Sequence, residues 1–374
     1  MPPYLWFNLN IMKLPAKIKL QPAPYPFDRL LQTLEKANAA CNYASEQAWD
    51  SKTFRQYDLH QLVYNDIRER FGLAAQMTVR AIAKVSYAYK INQKGRRNFN
   101  SHGAFPYDSR ILNFKTAAKK VSIWTLDGRQ HMPYLCGERQ HELLEGKRGE
   151  ADLCYIDGEF YLFVSCEVET PETQDEEDFL GIDLGIVNIA SDSDGETFSG
   201  EQVEESRRKF AHRRRNLQRK GTRASKRKLK TIRYNQSRYQ TDVNHQISKA
   251  IVQKAKRTGR GIALEMLKGI TQRVRVTRKQ RARLHNWSFG QLASFVLYKA
   301  ELAGMPVIFV DPKYTSQSCS VCGYIDKRNR PDQAAFSCVS CGFSASADTN
   351  AAVNIAVRAV VNQPNGLLAQ GSAA

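Results

Sequence analysis

Apolar residues change their spacing several times along the chain, and each change predicts a different element. Leu14 to Leu20 alternate well enough for one strand. From Asp28 to about Trp49, Leu30, Leu31, Leu34, Ala37, Cys41 and Ala44 recur at helical spacing and predict a buried stripe. Two more helices are predicted at about Asp58–Phe71 and Ala75–Tyr89, the second with Met77, Ala81, Ile82, Val85 and Tyr89 on one face. Phe105 to Val168 switches to period two, with Val121, Trp124, Tyr134, Leu153 and Tyr155 in short β-prone runs. Asp157-Gly158 between two of those runs is a two-residue hairpin signal. The first strand and the later ones are expected to form one small β-barrel, with the helices as an insert in it.

Pro171 to Asp178 reads PETQDEED, a polar acidic linker where a domain boundary is expected. Phe179 to Gly185 then opens a second half as a buried strand interrupted by Asp183. Asn188 begins a further strand, and Asp194-Gly195 is its turn. Leu229, Ile232, Tyr239, Val243, Ile247 and Ile251 form a helical stripe, which predicts two helices broken near Gly221, the second running to about Thr258. Ile262 to Leu267 is a second buried strand, carrying Glu265. Phe289 to Ala303 reads as a helix and Val307 to Val310 as a strand. A last helix, with Ala351, Ala352, Val353, Ile355 and Ala356, opens at Asp348. Strand, hairpin, helix, strand, helix, strand, helix is the order of a ribonuclease-H-like sheet with helices on its faces. The fold class expected is therefore a multidomain α+β and α/β chain, its C-terminal domain interrupted by the cysteine-rich stretch.

That stretch lies between the last strand and the last helix. Cys319 and Cys322 make one C-x-x-C knuckle, and Cys338 and Cys341 make another after fifteen residues. Each knuckle is followed by Gly, at Gly323 and Gly342. Two such knuckles can set four thiolates around one structural Zn²⁺. Unpaired turns or two disulfides are the plainer readings, and the spacing favours zinc. Cys41, Cys136, Cys154 and Cys166 are scattered and read as core residues or free thiols.

Charge sharpens the picture. Of 374 residues, 56 are Lys or Arg and 37 Asp or Glu, a net charge of +19. That balance favours a polyanion as partner. Fifteen of the cations and no acid fall between Arg207 and Arg238. Arg207, Arg208, Arg213, Arg214, Arg215, Arg219, Lys220, Lys226, Arg227 and Lys228 are the candidate phosphate contacts. A solvated face is the bland alternative, and the stripe beneath them argues against a disordered arm. No apolar run approaches the ~18–20 residues of a membrane helix. The first residues lack a basic leader and a cleavage site, so the expected location is cytoplasmic, beside the nucleoid when DNA-bound, with no membrane partner.

Asp183 and Glu265 sit in strands against propensity, and buried carboxylates are costly without partners. In a ribonuclease-H-like sheet they would meet Asp348 at the start of the last helix. A turn acid, a strand-end acid and a helix cap are the separate structural explanations. Together, three converging carboxylates repel one another unless cations neutralise them, and hard oxygen donors suit Mg²⁺ or Mn²⁺. Two such ions can activate water and stabilise the leaving oxygen of a phosphodiester.

GIDLG at Gly181–Gly185, ALEML at Ala263–Leu267, YTSQSCSVCG at Tyr314–Gly323, SCVSCG at Ser337–Gly342 and ADTNAAVNIA at Ala347–Ala356 resemble, in this order, the motifs of TnpB. These are OrfB-type proteins of bacterial insertion sequences, related to the miniature type V CRISPR effectors. YDSRILNF and VSIWTLDGRQHMPY are similar to the family's barrel strands. The resemblance implies a wedge barrel from residues 1–24 and 94–175 and a helical recognition insert at 25–93. It implies a RuvC-like nuclease domain from 176–312 and 346–362, a zinc-ribbon target-nucleic-acid-binding domain at 313–345, and a flexible tail at 363–374. Asp183, Glu265 and Asp348 fall on the family's catalytic acids, and the four cysteines on its zinc ribbon. The implied activity is RNA-guided cleavage of DNA beside a short flanking motif, with guide RNA and target DNA as partners. A monomer is the expected state. A guided DNA-binding regulator that no longer cuts and a guide-independent structure-specific nuclease are the competing readings.

Overall fold

The computed structural model describes residues 10–267 and 289–366. Residues 1–9, 268–288 and 367–374 lie outside the described residues, and most of the expected flexible tail at 363–374 falls among them. The chain forms two compact units, Met1–Glu169 and Thr170–Ala374.

The first unit opens with strand β1 (Asn10–Leu20) and helices α1 (Pro24–Asp50), α2 (Gln56–Phe71) and α3 (Ala75–Ile91). Helix α1 starts four residues before the expected Asp28, because proline in a first turn gives up an N–H that has no partner there anyway. Leu31 of its expected stripe is only half-buried, whereas Leu30, Leu34, Ala37, Cys41 and Ala44 are fully buried. Then follow β2 (Phe105–Tyr107), β3 (Leu112–Lys115), β4 (Lys120–Thr125), β5 (Gly128–Leu135), α4 (Glu138–Glu145), β6 (Lys147–Ile156) and β7 (Glu159–Thr170). Helix α4 is absent from the sequence reading. Only Leu144 of it is buried, so it leaves no stripe to read. Asp157 (φ 50°) and Gly158 (φ 88°) make the β6–β7 turn, both with the positive φ that a type I′ hairpin requires.

These strands form one seven-stranded sheet in the order β2-β6-β7-β1-β5-β4-β3. The two end strands, β2 and β3, are consecutive in sequence. Four residues, 108–111, join them, and four residues span about 14 Å at most. The sheet therefore curls until its ends approach.

The second unit contains β8 (Phe179–Asp183), β9 (Asn188–Asp192), β10 (Thr197–Ser199), α5 (Glu201–Lys220), α6 (Arg223–Thr258), β11 (Gly261–Glu265), α7 (Phe289–Leu302), β12 (Val307–Val310), β13 (Ala335–Ser337), β14 (Ser344–Ser346) and α8 (Ala347–Gly366). Helix α8 runs through residues 363–366, which the sequence reading gave to a flexible tail. The sheet order is β10-β9-β8-β11-β12. Strands β8, β11 and β12 are parallel, while β9 and β10 run antiparallel as a hairpin on one side.

Strand alternation assigns the two faces. Leu180, Ile182, Ile262 and Leu264 pack with Ile247 and Ile251 of α6 and Leu292 and Val296 of α7. Phe179 and Ala263 face the other way, against Ile355 and Ala359 of α8. Gly181 shares that face, and α8 comes so close that a Cβ on Gly181 would stand 2.0 Å from the Ala352 carbonyl oxygen and 2.6 Å from the Ala356 nitrogen. Only a residue without a side chain fits there. Gly181→Ala is expected to push α8 off the sheet and lower stability by about 1–3 kcal/mol or more. A denaturant midpoint equal to the parent's would refute that packing.

Candidate functional site

The parallel register of β8 and β11 brings two acids together. Ile182 pairs with Leu264, so Asp183 and Glu265 follow in step at the ends of neighbouring strands about 4.8 Å apart. Both belong to the face that α8 covers. The first turn of α8 supplies Asp348, whose Oδ2 accepts a hydrogen bond from Asn188 Nδ2 at 2.8 Å. Asp348 lies one residue inside the helix rather than before it, so it is not placed as an N-cap.

Both other acids act electrostatically on Asp183. Burial pushes the Asp183 carboxyl up to about 7, and the charges of Glu265 and Asp348 push in the same direction, while Arg330 pulls it back. Glu265 is raised mainly by burial, with Thr315 and Arg358 opposing. Opposite Asp183 on β9 stands Ser191, 1% exposed, its hydroxyl with no hydrogen-bond partner among the described residues. Hard oxygen donors with mutual repulsion and a nearby unpartnered buried hydroxyl fit Mg²⁺ or Mn²⁺. Among the described residues the four cysteines, and not the three carboxylates, form a set of donors close enough to share one ion.

The cysteines are arranged differently. The four Sγ atoms of Cys319, Cys322, Cys338 and Cys341 all lie within 4.8 Å of one another. Cys319 and Cys341 are 3.7 Å apart and Cys322 and Cys338 3.6 Å. Four sulfurs about 2.3 Å from a tetrahedral zinc stand roughly 3.8 Å apart, and a disulfide would need about 2.05 Å. The cluster could therefore bind zinc. The two knuckles repeat each other. Gly323 N donates to Cys319 O at 2.9 Å and Gly342 N to Cys338 O at 3.0 Å, each Gly at positive φ. Backbone N–H groups of Cys341 and Ser340 pull the Cys338 thiol down, while hydrogen bonds to the neighbouring sulfurs push Cys322 up, so the crowded thiols share their protons unequally.

Three asparagines join the ribbon to itself and to α8. Buried Asn329 donates to Gln317 O and Tyr324 O and accepts from Val339 N, tying one knuckle to the other. On α8, Asn350 bonds Ser318 O and Ser320 N. One turn later, Asn354 bonds Thr315 O and Ser318 O. The helix that carries Asp348 is thus fastened to the ribbon. Arg330 and these asparagines are missing from the sequence reading. Asn350 and Asn354 at i and i+4 in ADTNAAVNIA were a visible signal, since polar residues recur on one helical face.

The basic candidates lie on α5 and α6, which meet at Gly221 (φ 64°). Arg208, Arg213, Arg215, Arg219, Lys220, Lys226, Arg227 and Lys228 are exposed. Arg207 and Arg214 are half-buried and already engaged. Arg207 holds Glu204 through two 2.7 Å bonds, and Arg214 donates to Gln236. Among the described residues no helix is long and apolar enough to cross a membrane.

Along the chain a curved sheet is followed by a second sheet with acids at the ends of its parallel strands and then by a four-thiol ribbon. The family model described as "Probable transposase", OrfB_IS605, matches residues 163–268, and "Cas12f1-like, TNB domain" matches residues 289–355. The CRISPR-associated endodeoxyribonuclease Cas12f1 of Sulfoacidibacillus thermotolerans is 36% identical over 53% of this chain and 50% of its own. The TnpB-like protein MJ0751 of Methanocaldococcus jannaschii is 33% identical over 34% of this chain and 47% of its own. The chain spans about half the length of these curated relatives. A Cas12f1–sgRNA–target DNA complex has a related fold, with a TM-score of 0.58 at 13% identity over 89% of this chain and 84% of that one. These matches support a TnpB-type protein.

One zinc per chain is expected. Cys338→Ser should release it and disorder the ribbon, because structural zinc supplies folding energy. Elemental analysis of a well-folded preparation with no zinc would refute the assignment.

Proposed function

We propose that the chain is an RNA-guided DNA endonuclease of an insertion sequence that cuts DNA beside a short flanking motif. The observation that carries the reading is the convergence of Asp183, Glu265 and Asp348 at one end of the parallel strands β8 and β11, beside a four-thiol ribbon. The sheet order and the helix pair behind it support a RuvC-type nuclease domain built from residues 176–312 and 346–362. The curled seven-stranded sheet supports the wedge barrel, and α1 to α3 the helical insert. The relatives' names, an endodeoxyribonuclease and a complex with guide RNA and target DNA, support the substrate and the partners.

In this reading the three carboxylates hold Mg²⁺ or Mn²⁺, which when bound supplies Lewis acidity at the scissile phosphate. Asp183 is the acid most pressed by its neighbours, so it gains most from a cation. Arg330 adds a positive charge that a phosphodiester oxygen would meet. Asn188 orients Asp348. Guide pairing supplies sequence specificity, and the strand to be cut enters single-stranded. The exposed cations of α5 and α6 track phosphates without reading bases.

Asp183→Ala is expected to abolish guided cleavage in Mg²⁺ while guided DNA binding stays near the parent's. Glu265→Ala and Asp348→Ala should behave alike, and double variants should lose no more, because the three act as one unit. Cleavage at the parent's rate by Asp183→Ala would overturn the reading.

The basic face has its own test. Replacing Arg213 and Arg215 with Gln should weaken binding to unrelated sequences alike. It should flatten the slope of log affinity against log salt by up to about two units. An unchanged slope would remove this face from the phosphate path.

A further inference from the structure

Thr315 is the first buried residue of the ribbon, and it touches the acidic site. It is 3% exposed, and Glu265 is 9% exposed. Its hydroxyl lies 2.5 Å from Glu265 Oε1 and 3.0 Å from the Pro312 carbonyl oxygen. A hydroxyl has one proton to give, and an ionised carboxylate is the stronger acceptor, so the proton goes to Glu265. The backbone oxygen of Thr315 accepts from Asn354 Nδ2 at 2.9 Å, on the helix that carries Asp348. One residue therefore meets the strand end that holds the second acid and the helix that holds the third. Threonine is β-branched and stiff at χ1, so its hydroxyl is held where the ribbon puts it.

We infer that Thr315 is a positioning residue that fixes the Glu265 carboxylate through Oε1 and leaves Oε2 to the divalent cation. This rests on the acidic-site reading above. Glutamate has three rotatable torsions and would otherwise sample several orientations at a strand end. Groups that hold a metal ligand from behind typically change metal affinity or activity 10- to 100-fold when removed. A merely structural Thr315 would instead close the turn at Pro312 and leave cation binding alone.

The test uses the full chain loaded with zinc, titrated with Mn²⁺ by calorimetry in the absence of nucleic acid. Thr315→Val removes the hydroxyl and keeps the branched shape. It is expected to keep the parent's zinc content and to weaken Mn²⁺ binding about 10-fold or more. Thr315→Ser keeps the hydroxyl and is expected to restore affinity close to the parent's. In cleavage assays the Val variant should need correspondingly more Mg²⁺ for half-maximal rate. Parent-like Mn²⁺ binding by the Val variant overturns the inference. So does equal loss in Val and Ser, which would make packing rather than the hydroxyl responsible. Loss of zinc from the Val variant also overturns it, since the hydroxyl would then serve the ribbon's own fold. Glu265→Gln separates the two levels. If it leaves Mn²⁺ binding unchanged, the acidic-site reading itself fails. If it weakens binding and Thr315→Val does not, only the role of Thr315 falls.

Discussion

The close approach of α8 to β8 is the constraint on which the second unit depends. A carbonyl and an amide of the helix occupy the space where a side chain on Gly181 would be. That contact sets the depth of the helix over the sheet and so fixes where its first turn ends. Asp348 then arrives beside two acids already placed by strand register. Had the helix stood one side-chain layer further out, Asp183 and Glu265 would still be neighbours, but the third carboxylate would face solvent.

Burial does most to push the Asp183 carboxyl so far from its ordinary range, and the charges of Glu265 and Asp348 add to it. The surrounding structure holds the acids in place against that repulsion. Thr315 grips Glu265, Asn188 grips Asp348, and Arg330 and Arg358 partly compensate the charge of Asp183 and Glu265. A site strained in this way is poised to gain from a cation, and strain of this kind concentrates where function lies.

The sequence was most legible where one period dominates. The alternation of β8 and β11, the stripe of α6 and the spacing of the cysteines each declare themselves within a short window. Asp183 and Glu265 stood out because carboxylates interrupt apolar runs. Other features depend on partners far along the chain. Thr315 is fifty positions from Glu265, and nothing near it in sequence announces the contact. Gly181 reads as an ordinary strand glycine until the helix above it is seen. Arg330 sits among other polar residues in the ribbon and gains meaning only from its proximity to Asp183. Helix α4 leaves no pattern because only one of its leucines is buried, and α1 starts before the first residue of its apolar stripe, with proline in its first turn.

The ribbon is also a loop, and its closure has an entropic side. Thirty-six residues lie between Val310, the end of the last sheet strand, and Ala347, the start of α8. For an unstructured connection of that length, bringing the helix back onto the sheet is opposed by the freedom of the whole segment. Linking Cys319 to Cys341 through one ion short-circuits most of it. Logarithmic scaling of closure entropy with length makes the gain on the order of 1 kcal/mol. A zinc held by these four thiols would thus favour the return of α8, and with it Asp348, to the sheet without touching either.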